Sequence, residues 1–333
     1  MAPDRDSVLL ADLGGTNVRF AIADVGARRP LRAGSVRRYR VAEWATFADA
    51  VHGYLVEAGA RPRSGVFAVA GPVTGDDVRM TNHPWVLSRG GLLAALGFER
   101  LRIVNDFAAM SHCLPLLGDE DVAAIGPCAP TRVDPSRRQS FAIVGPGTGL
   151  GVGGLVVDGG RFVGLPAEGG HVAFAPADEI EIDVLRRLMA RFGRVSIERV
   201  LCGSGLVNLH RALHPHADDG WTPERITAAA ATDPMCAATL ERFCAMLGAA
   251  AGDFALAYGA WDGVWLAGGL TPTLLARLRA GAFRARFEDK GRYRRVLEAV
   301  PTTAILHSDA GLLGAAVLAM LDAGRAPAEI GAA

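Results

Sequence analysis

The chain has 333 residues, half of them hydrophobic, enough for a large core and for more than one unit of about a hundred residues. With 35 basic and 35 acidic side chains the formal net charge is zero, so no global field attracts nucleic acid or an anionic membrane. Five scattered cysteines, Cys113, Cys128, Cys202, Cys236 and Cys244, have neither C-x-x-C spacing nor histidine companions, so a zinc site is excluded and reduced thiols are expected. Residues 1–7 lack the apolar stretch of a signal peptide and no apolar run is long enough to span a membrane, so a cytoplasmic location is expected.

In chain order, apolar strands alternate with helical stretches, which predicts an α/β protein. Residues 8–11 read as a strand, 12–17 as a turn, and 18–23 as a returning strand. Residues 101–104 are a strand that stops at Asn105-Asp106, in itself an ordinary turn signal. Residues 118–139, rich in Pro, Asp and Arg, look like a crossing between domains. A strand over 140–144 then enters Gly145-Pro146-Gly147-Thr148-Gly149-Leu150-Gly151, and a strand over 155–158 returns. The plan shared with the first turn reads as an internal repeat of two related halves. Glu168-Gly169-Gly170-His171 follows an apolar strand, and Ser196 is placed to cap a helix with Glu198 in its first turn. Residues 264–267 form a strand, Gly268-Gly269 follow, and Thr271-Pro272 open a helix. An apolar helix covers 310–321, and the tail beyond Asp322 is expected to fray.

The glycine turns exclude several nucleotide-binding schemes. Residues 149–154 match G-x-G-x-x-G, but a strand follows where a dinucleotide site needs a helix. There is no Gly-Lys-Ser/Thr for a P-loop. The sole lysine, Lys290, lies far from any glycine turn, which also removes the strand lysine of a protein kinase. Two tight hairpins remain, either ordinary or shaped as nests whose N–H groups meet phosphate oxygens. On the second reading the nucleotide lies against Ala11, Asp12, Leu13, Gly14, Gly15 and Thr16, against Gly147, Thr148 and Gly149, and against Gly268 and Gly269, where an adenosine could lie flat. Asp12 at a phosphate turn would repel its ligand without a cation, which points to Mg²⁺ held through water.

A polar set is spread over three other places: Asn105 and Asp106, Glu168 and His171, and Glu198. Each member taken alone has a structural explanation. Together they supply an amide, three carboxylates and an imidazole, the inventory for holding a ring of neutral hydroxyls.

These stretches resemble the bacterial glucokinase family of the hexokinase–actin superfamily. The resemblance runs through 11–17 (ADLGGTN), 71–76, 81–85 (TNHPW), 104–107 (VNDF), 146–151 (PGTGLG), 168–171 (EGGH), 196–200 (SIERV), 287–292 and 311–314. The related ROK sugar kinases fit less well, because their cysteine-rich zinc motif is absent. The resemblance implies a two-domain hexokinase/actin-like, ribonuclease H-like α/β fold with an active-site cleft between domains. It implies a small domain of residues 1–117 completed by 309–325, a large domain of 118–308, and a homodimer. It also implies that Asn105, Asp106, Glu168, His171 and Glu198 contact glucose, with Asp106 as catalytic base. Gly71 departs from the family's usual residue, as does the Pro-rich stretch near Cys128, and both are expected to lie away from the site.

The expected activity is phosphorylation of D-glucose at its 6-hydroxyl by ATP with Mg²⁺, the first step of glycolysis. The alternatives are a kinase for another hexose and a non-catalytic sugar sensor. The pair Asp12 and Asp106 counts against a sensor, which needs neither metal nor base. Trp85 is expected near the cleft mouth.

Overall fold

Among the residues that the computed structural model describes, 6–80, 85–216 and 220–325, two large sheets form. Part of the family-like stretch, residues 81–84, lies outside the described residues, as do 1–5 and the tail 326–333. Strands β1 (Ser7–Leu13), β2 (Asn17–Asp24), β3 (Arg37–Arg40) and β4 (Ser64–Val69) precede a small hairpin, β5 (Asp77–Arg79) with β6 (Val86–Ser88). β7 (Arg100–Asn105) completes the first sheet in the order β3-β2-β1-β4-β7. β1 and β2 are antiparallel with Asp12 opposite Arg19, while β1, β4 and β7 run parallel.

Parallel neighbours need crossovers, and α1 (Phe47–Ala58) and α2 (Arg89–Leu96) lie in them. α1 opens with a capping box between Thr46 and Asp49 and stops at Gly59 in the left-handed conformation. Phe47 and Tyr54 of α1 pack with Leu9, Phe20 and Phe67 on one face of the sheet. Trp85 belongs to this core: it is 7% exposed and its Nε1–H donates to Ala45 O at 3.1 Å. The ring expected near a cleft mouth is thus a core residue, since one this large gains more from burial against Phe47 than from solvent.

α3 (Asp106–Ser111) leaves the end of β7 and crosses to the second sheet. That sheet has the order β11-β10-β9-β12-β13-β8, with β8 (Val122–Ala124), β9 (Gln139–Pro146), β10 (Leu150–Asp158), β11 (Arg161–Ala167), β12 (Gly263–Leu266) and β13 (Thr302–Ile305). Two sequence expectations change here. The stretch 118–139 is more than a crossing, since β8 pairs antiparallel with β13 and Ile125 N–H donates to Thr302 O at 2.9 Å. And the returning strand starts at Leu150, not 155, so its glycines lie inside the sheet.

Helices α4 (Glu179–Phe192), α5 (Gly203–Leu213), α6 (Pro223–Ala229), α7 (Pro234–Tyr258), α8 (Leu270–Leu278), α9 (Ala282–Glu288) and α10 (Arg294–Ala299) accompany the second sheet. α7 and α9 approach closely at Gly248, where a Cβ would stand 2.0 Å from Phe283 O. α11 (Ala310–Asp322) is apolar and buried on every side from Ala310 to Met320, as an all-apolar helix must be. It packs on Leu10, Ala21, Val66 and Ala68 of the first sheet, and Gly314 abuts Ala109 of α3. No described helix is long and apolar enough to cross a membrane. The five cysteines are free, all but Cys128 buried.

Candidate active site

Asp12 stands near the end of β1, just before the first glycine turn. Its side chain is 21% exposed, and burial raises its pKa, partly countered by Arg19 and reinforced by Asp309. Arg19 Nη1 donates to Asp12 Oδ2 at 3.4 Å and to Ser308 O at 3.3 Å. Gly311 on α11 closes the other side, since a Cβ there would lie 2.9 Å from Asp12 Oδ2. Arg19 is a cation of the site that sequence reasoning missed. Its signal was the hairpin itself: a tight turn over 14–16 sets positions 12 and 19 opposite each other.

Asn105 and Asp106 sit where β7 gives way to α3. Asn105 is the N-cap, its Oδ1 accepting from Phe107 N–H and Ala108 N–H, both at 3.0 Å. Its Nδ2 donates to Gly71 O at 3.2 Å. Gly71 therefore touches the proposed site, contrary to expectation, and its φ of +122° explains why glycine is there. Asp106 Oδ1 accepts from Phe107 N–H at 2.9 Å. Burial, followed by the charges of Asp12 and Glu168, pushes the Asp106 carboxyl up to about 7, the helix-end amide opposing them. Asp12, Asp106 and Glu168 thus lie in one electrostatic neighbourhood.

Glu168 precedes a single 3-10 turn, Gly169–His171, that rests on β10: a Cβ at Gly170 would clash with Leu150 O at 2.2 Å. His171 Nε2 lies 4.0 Å from Glu168 Oε2, and both side chains are at least half exposed. Glu198 arrives beside them because residues 195–197 run back along 172–174, with Phe174 N–H donating to Val195 O and Ile197 N–H to Val172 O. Ser196 makes no side-chain cap, and the chain continues from it into one 3-10 turn, Ile197–Arg199, instead of the expected helix. Ser196 is buried and bridges Ala173, so the strand-like pairing determines its conformation. Glu198 Oε2 accepts from Leu150 N–H at 2.8 Å.

The second glycine turn gathers Gly268-Gly269 and the start of α5 around it, while the first turn is closed on itself. Gly14 N–H bonds Asn17 O at 3.0 Å and Gly147 N–H bonds Gly149 O at 2.8 Å, so these two amides are engaged within their own turns. Thr16 and Thr148 are exposed at the tips. Gly268, at φ +83°, lies against Pro146 O, and Gly269 N is close to Gly147. The N-terminus of α5 joins them through Gly203 N–H to Gly147 O at 2.8 Å. Lys290 is elsewhere, its Nζ held by Asp253 at 2.6 Å and Ala249 O at 2.9 Å. Among the described residues no group of three or more His, Cys, Asp or Glu could form a metal cage. A lone carboxylate such as Asp12 suits Mg²⁺, which usually keeps its waters and phosphate oxygens and takes one or two carboxylates.

The family profile and the curated relatives agree on one family, and the solved structures agree on its fold. The sequence profile described as Glucokinase matches residues 9–322. The chain is 49% identical over 323 residues to a protein named glucokinase from Stenotrophomonas maltophilia (strain R551-3), covering 96% of each chain. A glucokinase from Xanthomonas campestris pv. campestris (strain B100) is 49% identical over 323 residues, again 96% of each. Among solved structures, a glucokinase from an Antarctic psychrotroph superposes with a TM-score of 0.81 at 31% identity, over 95% of this chain and 99% of that one. Balamuthia mandrillaris glucokinase, in complex with glucose, gives 0.78 at 19% identity over 95% and 94%. A ROK family glucokinase from Streptomyces griseus, with glucose and AMPPNP, gives 0.62 at 18% over 94% and 98%, and both of these speak to the fold alone.

Proposed function

The chain belongs to the glucokinase family, and on that premise we propose how its own residues carry out the reaction. It is an enzyme of the two-domain hexokinase/actin-like fold that phosphorylates glucose with ATP. The observation that carries the assignment of roles is the position of Asp106: a carboxyl at a helix start, within the fields of Asp12 and Glu168 and raised to about 7. A base poised near neutrality is suited to removing a hydroxyl proton.

In this reading the sugar lies over Asn105, Glu168, His171 and Glu198. Asn105 has one amide N–H committed to Gly71 O, which leaves the second for a sugar hydroxyl. Glu198 has one oxygen on Leu150 and offers the other. Asp106 takes the proton from the 6-hydroxyl as that oxygen bonds the γ-phosphorus and the bond to ADP breaks. The phosphates lie on the first turn (Ala11, Asp12, Leu13, Gly14, Gly15, Thr16) and the second (Gly147, Thr148, Gly149), with the nucleoside against Gly268 and Gly269. Mg²⁺ held by Asp12 would neutralise phosphate charge there. Arg19 and the amides at the turn tips supply the remaining positive field, since Lys290 is bound elsewhere.

The division into 1–117 with 309–325 and 118–308, a homodimeric state, a cytoplasmic location and a place in glycolysis belong to the same proposal. The test is a coupled assay with Mg²⁺, a panel of hexoses and several phosphoryl donors. One ADP per glucose 6-phosphate, with glucose and ATP preferred, is expected. Preference for another hexose, or glucose binding without ADP release, would overturn the reading.

A further inference from the structure

Phe107 follows Asp106 directly, and glycines on two neighbouring strands clear the space that it fills. A Cβ at Gly151 would lie 1.7 Å from Phe107 Cε2, and one at Gly145 would lie 2.4 Å from its Cζ. Gly145 on β9 and Gly151 on β10 are register partners, so together they make a trough across the sheet. Gly153 continues it under the Phe107 backbone, where a Cβ would come within 2.9 Å of the carbonyl oxygen. Glycine in a strand interior weakens a sheet, and its usual reason is the close approach of another group. Here that group is one aromatic ring.

Two further contacts give the ring its meaning. The Phe107 N–H is shared by Asn105 Oδ1 at 3.0 Å and Asp106 Oδ1 at 2.9 Å, so the backbone of Phe107 holds both side chains. And β9 and β10 are the two arms of the hairpin whose turn is Gly147-Thr148-Gly149. The ring therefore sits on the donor-side hairpin while its amide grips the acceptor-side carboxylate.

We propose that Phe107 is a positioning residue: seated in the trough of Gly145 and Gly151, it fixes the Asp106 carboxylate relative to the second glycine turn. This rests on the reading of Asp106 as base. The geometry assigns the glycines of β9 and β10 to the same task, as the floor that lets the ring come close. Misplacement of a reacting group by about 1 Å can reduce turnover about 100-fold, so a looser ring should act on kcat.

The test compares Phe107→Leu and Gly151→Ala with Phe243→Leu, a fully buried core residue of α7. For each, kcat at saturating glucose and ATP, glucose Kd by calorimetry and melting temperature are measured. Phe107→Leu and Gly151→Ala should lower kcat about 10- to 100-fold, with glucose Kd within about threefold of the parent. Phe243→Leu should lower the melting temperature comparably and leave kcat within about twofold. If Gly151→Ala does not fold, Phe107→Leu, which introduces no clash with the trough, decides the matter. A kcat within about twofold of the parent in Phe107→Leu, or losses that merely follow melting temperature as in Phe243→Leu, would overturn the proposal. Asp106→Asn is run alongside. If it stays active, the base assignment and this inference both fall; if it is inactive while Phe107→Leu is not, only this inference falls.

Discussion

Glu198 Oε2 accepts the N–H of Leu150 at 2.8 Å, so a carboxylate proposed for the sugar is bonded to the backbone of the turn proposed for phosphate. Glu198→Gln keeps an acceptor for Leu150 and loses the charge, whereas Glu198→Ala removes both. Losing a hydrogen bond to a charged group costs about 1.5–3 kcal/mol, or roughly 10- to 150-fold. Glu198→Gln and His171→Ala should raise the glucose KM by that order and leave the ATP KM alone. Glu198→Ala should raise both. Steady-state kinetics that showed the ATP KM rising in the glutamine variant would place Glu198 on the nucleotide side.

Asp106→Asn should lower kcat by about 10²- to 10⁴-fold while glucose still binds. Asparagine keeps the shape and a hydrogen bond to the hydroxyl but has no basicity. Stopped assays for kcat, with calorimetry for glucose, separate the two. A kcat within about threefold of the parent would remove Asp106 as base.

The pH dependence has a definite sign. A base works deprotonated, so kcat/KM should rise with pH through about 7, where burial and the charges of Asp12 and Glu168 hold the Asp106 carboxyl, and level off above. Stability runs the other way. A carboxyl raised from 3.8 to about 7 prefers its neutral form in the folded protein, so folding weakens as pH climbs across that interval. Asp106→Asn should therefore melt higher than the parent at about pH 8, with the gain shrinking towards about pH 4. Melting curves at several pH values check this, and a gain that grew on acidification would contradict it.

Gly268→Ala should damage the nucleotide side of the site. Its φ of +83° strains any other residue, and the added Cβ would lie 2.5 Å from Pro146 O. Left-handed strain alone costs about 1–3 kcal/mol, and Pro146 must also move. The expected result is a lower melting temperature and a higher ATP KM, with glucose Kd retained. Wild-type values for both would show that the turn yields without consequence.

Glucose alone should draw the two sheets together. Asn105 ends a strand of the first sheet and Asp106 follows it, while Glu198 and the turn between Glu168 and His171 rest on β10 of the second. His171 and Glu168 are 58% and 50% exposed, an open face for a ligand to cover. A small ligand that contacts both sides favours the state in which they meet. Small-angle scattering with and without saturating glucose should show a smaller radius of gyration. An unchanged radius, with binding confirmed by calorimetry, would mean a preformed site. Trp85 fluorescence is not the probe, because that ring is buried beside Phe47.

The parts legible in the sequence were those encoded locally. Glycine and threonine between β-branched runs marked both hairpins, and an unbroken apolar stretch marked α11. The illegible parts depend on contacts between distant segments. β8 is three small residues, too short for a period. Ser196 follows the pairing of 195–197 with 172–174, which overrides its capping preference. Gly71 and Phe107 matter through a carbonyl and a trough that exist only once β7, β9 and β10 are in place.

α11 covers a sheet face built from the opening strands of the chain. Synthesis runs from the other end, so Leu10, Ala21, Val66 and Ala68 leave the ribosome long before their cover does. At about 5–20 residues per second, the roughly 240 residues between β4 and α11 take tens of seconds to make. Throughout that interval the first sheet has its glycine turn and Asp12, but neither Gly311 beside the carboxylate nor a partner for its apolar face. Nascent or C-terminally truncated chains should therefore engage chaperones at this face, and activity should begin only when the last helix docks.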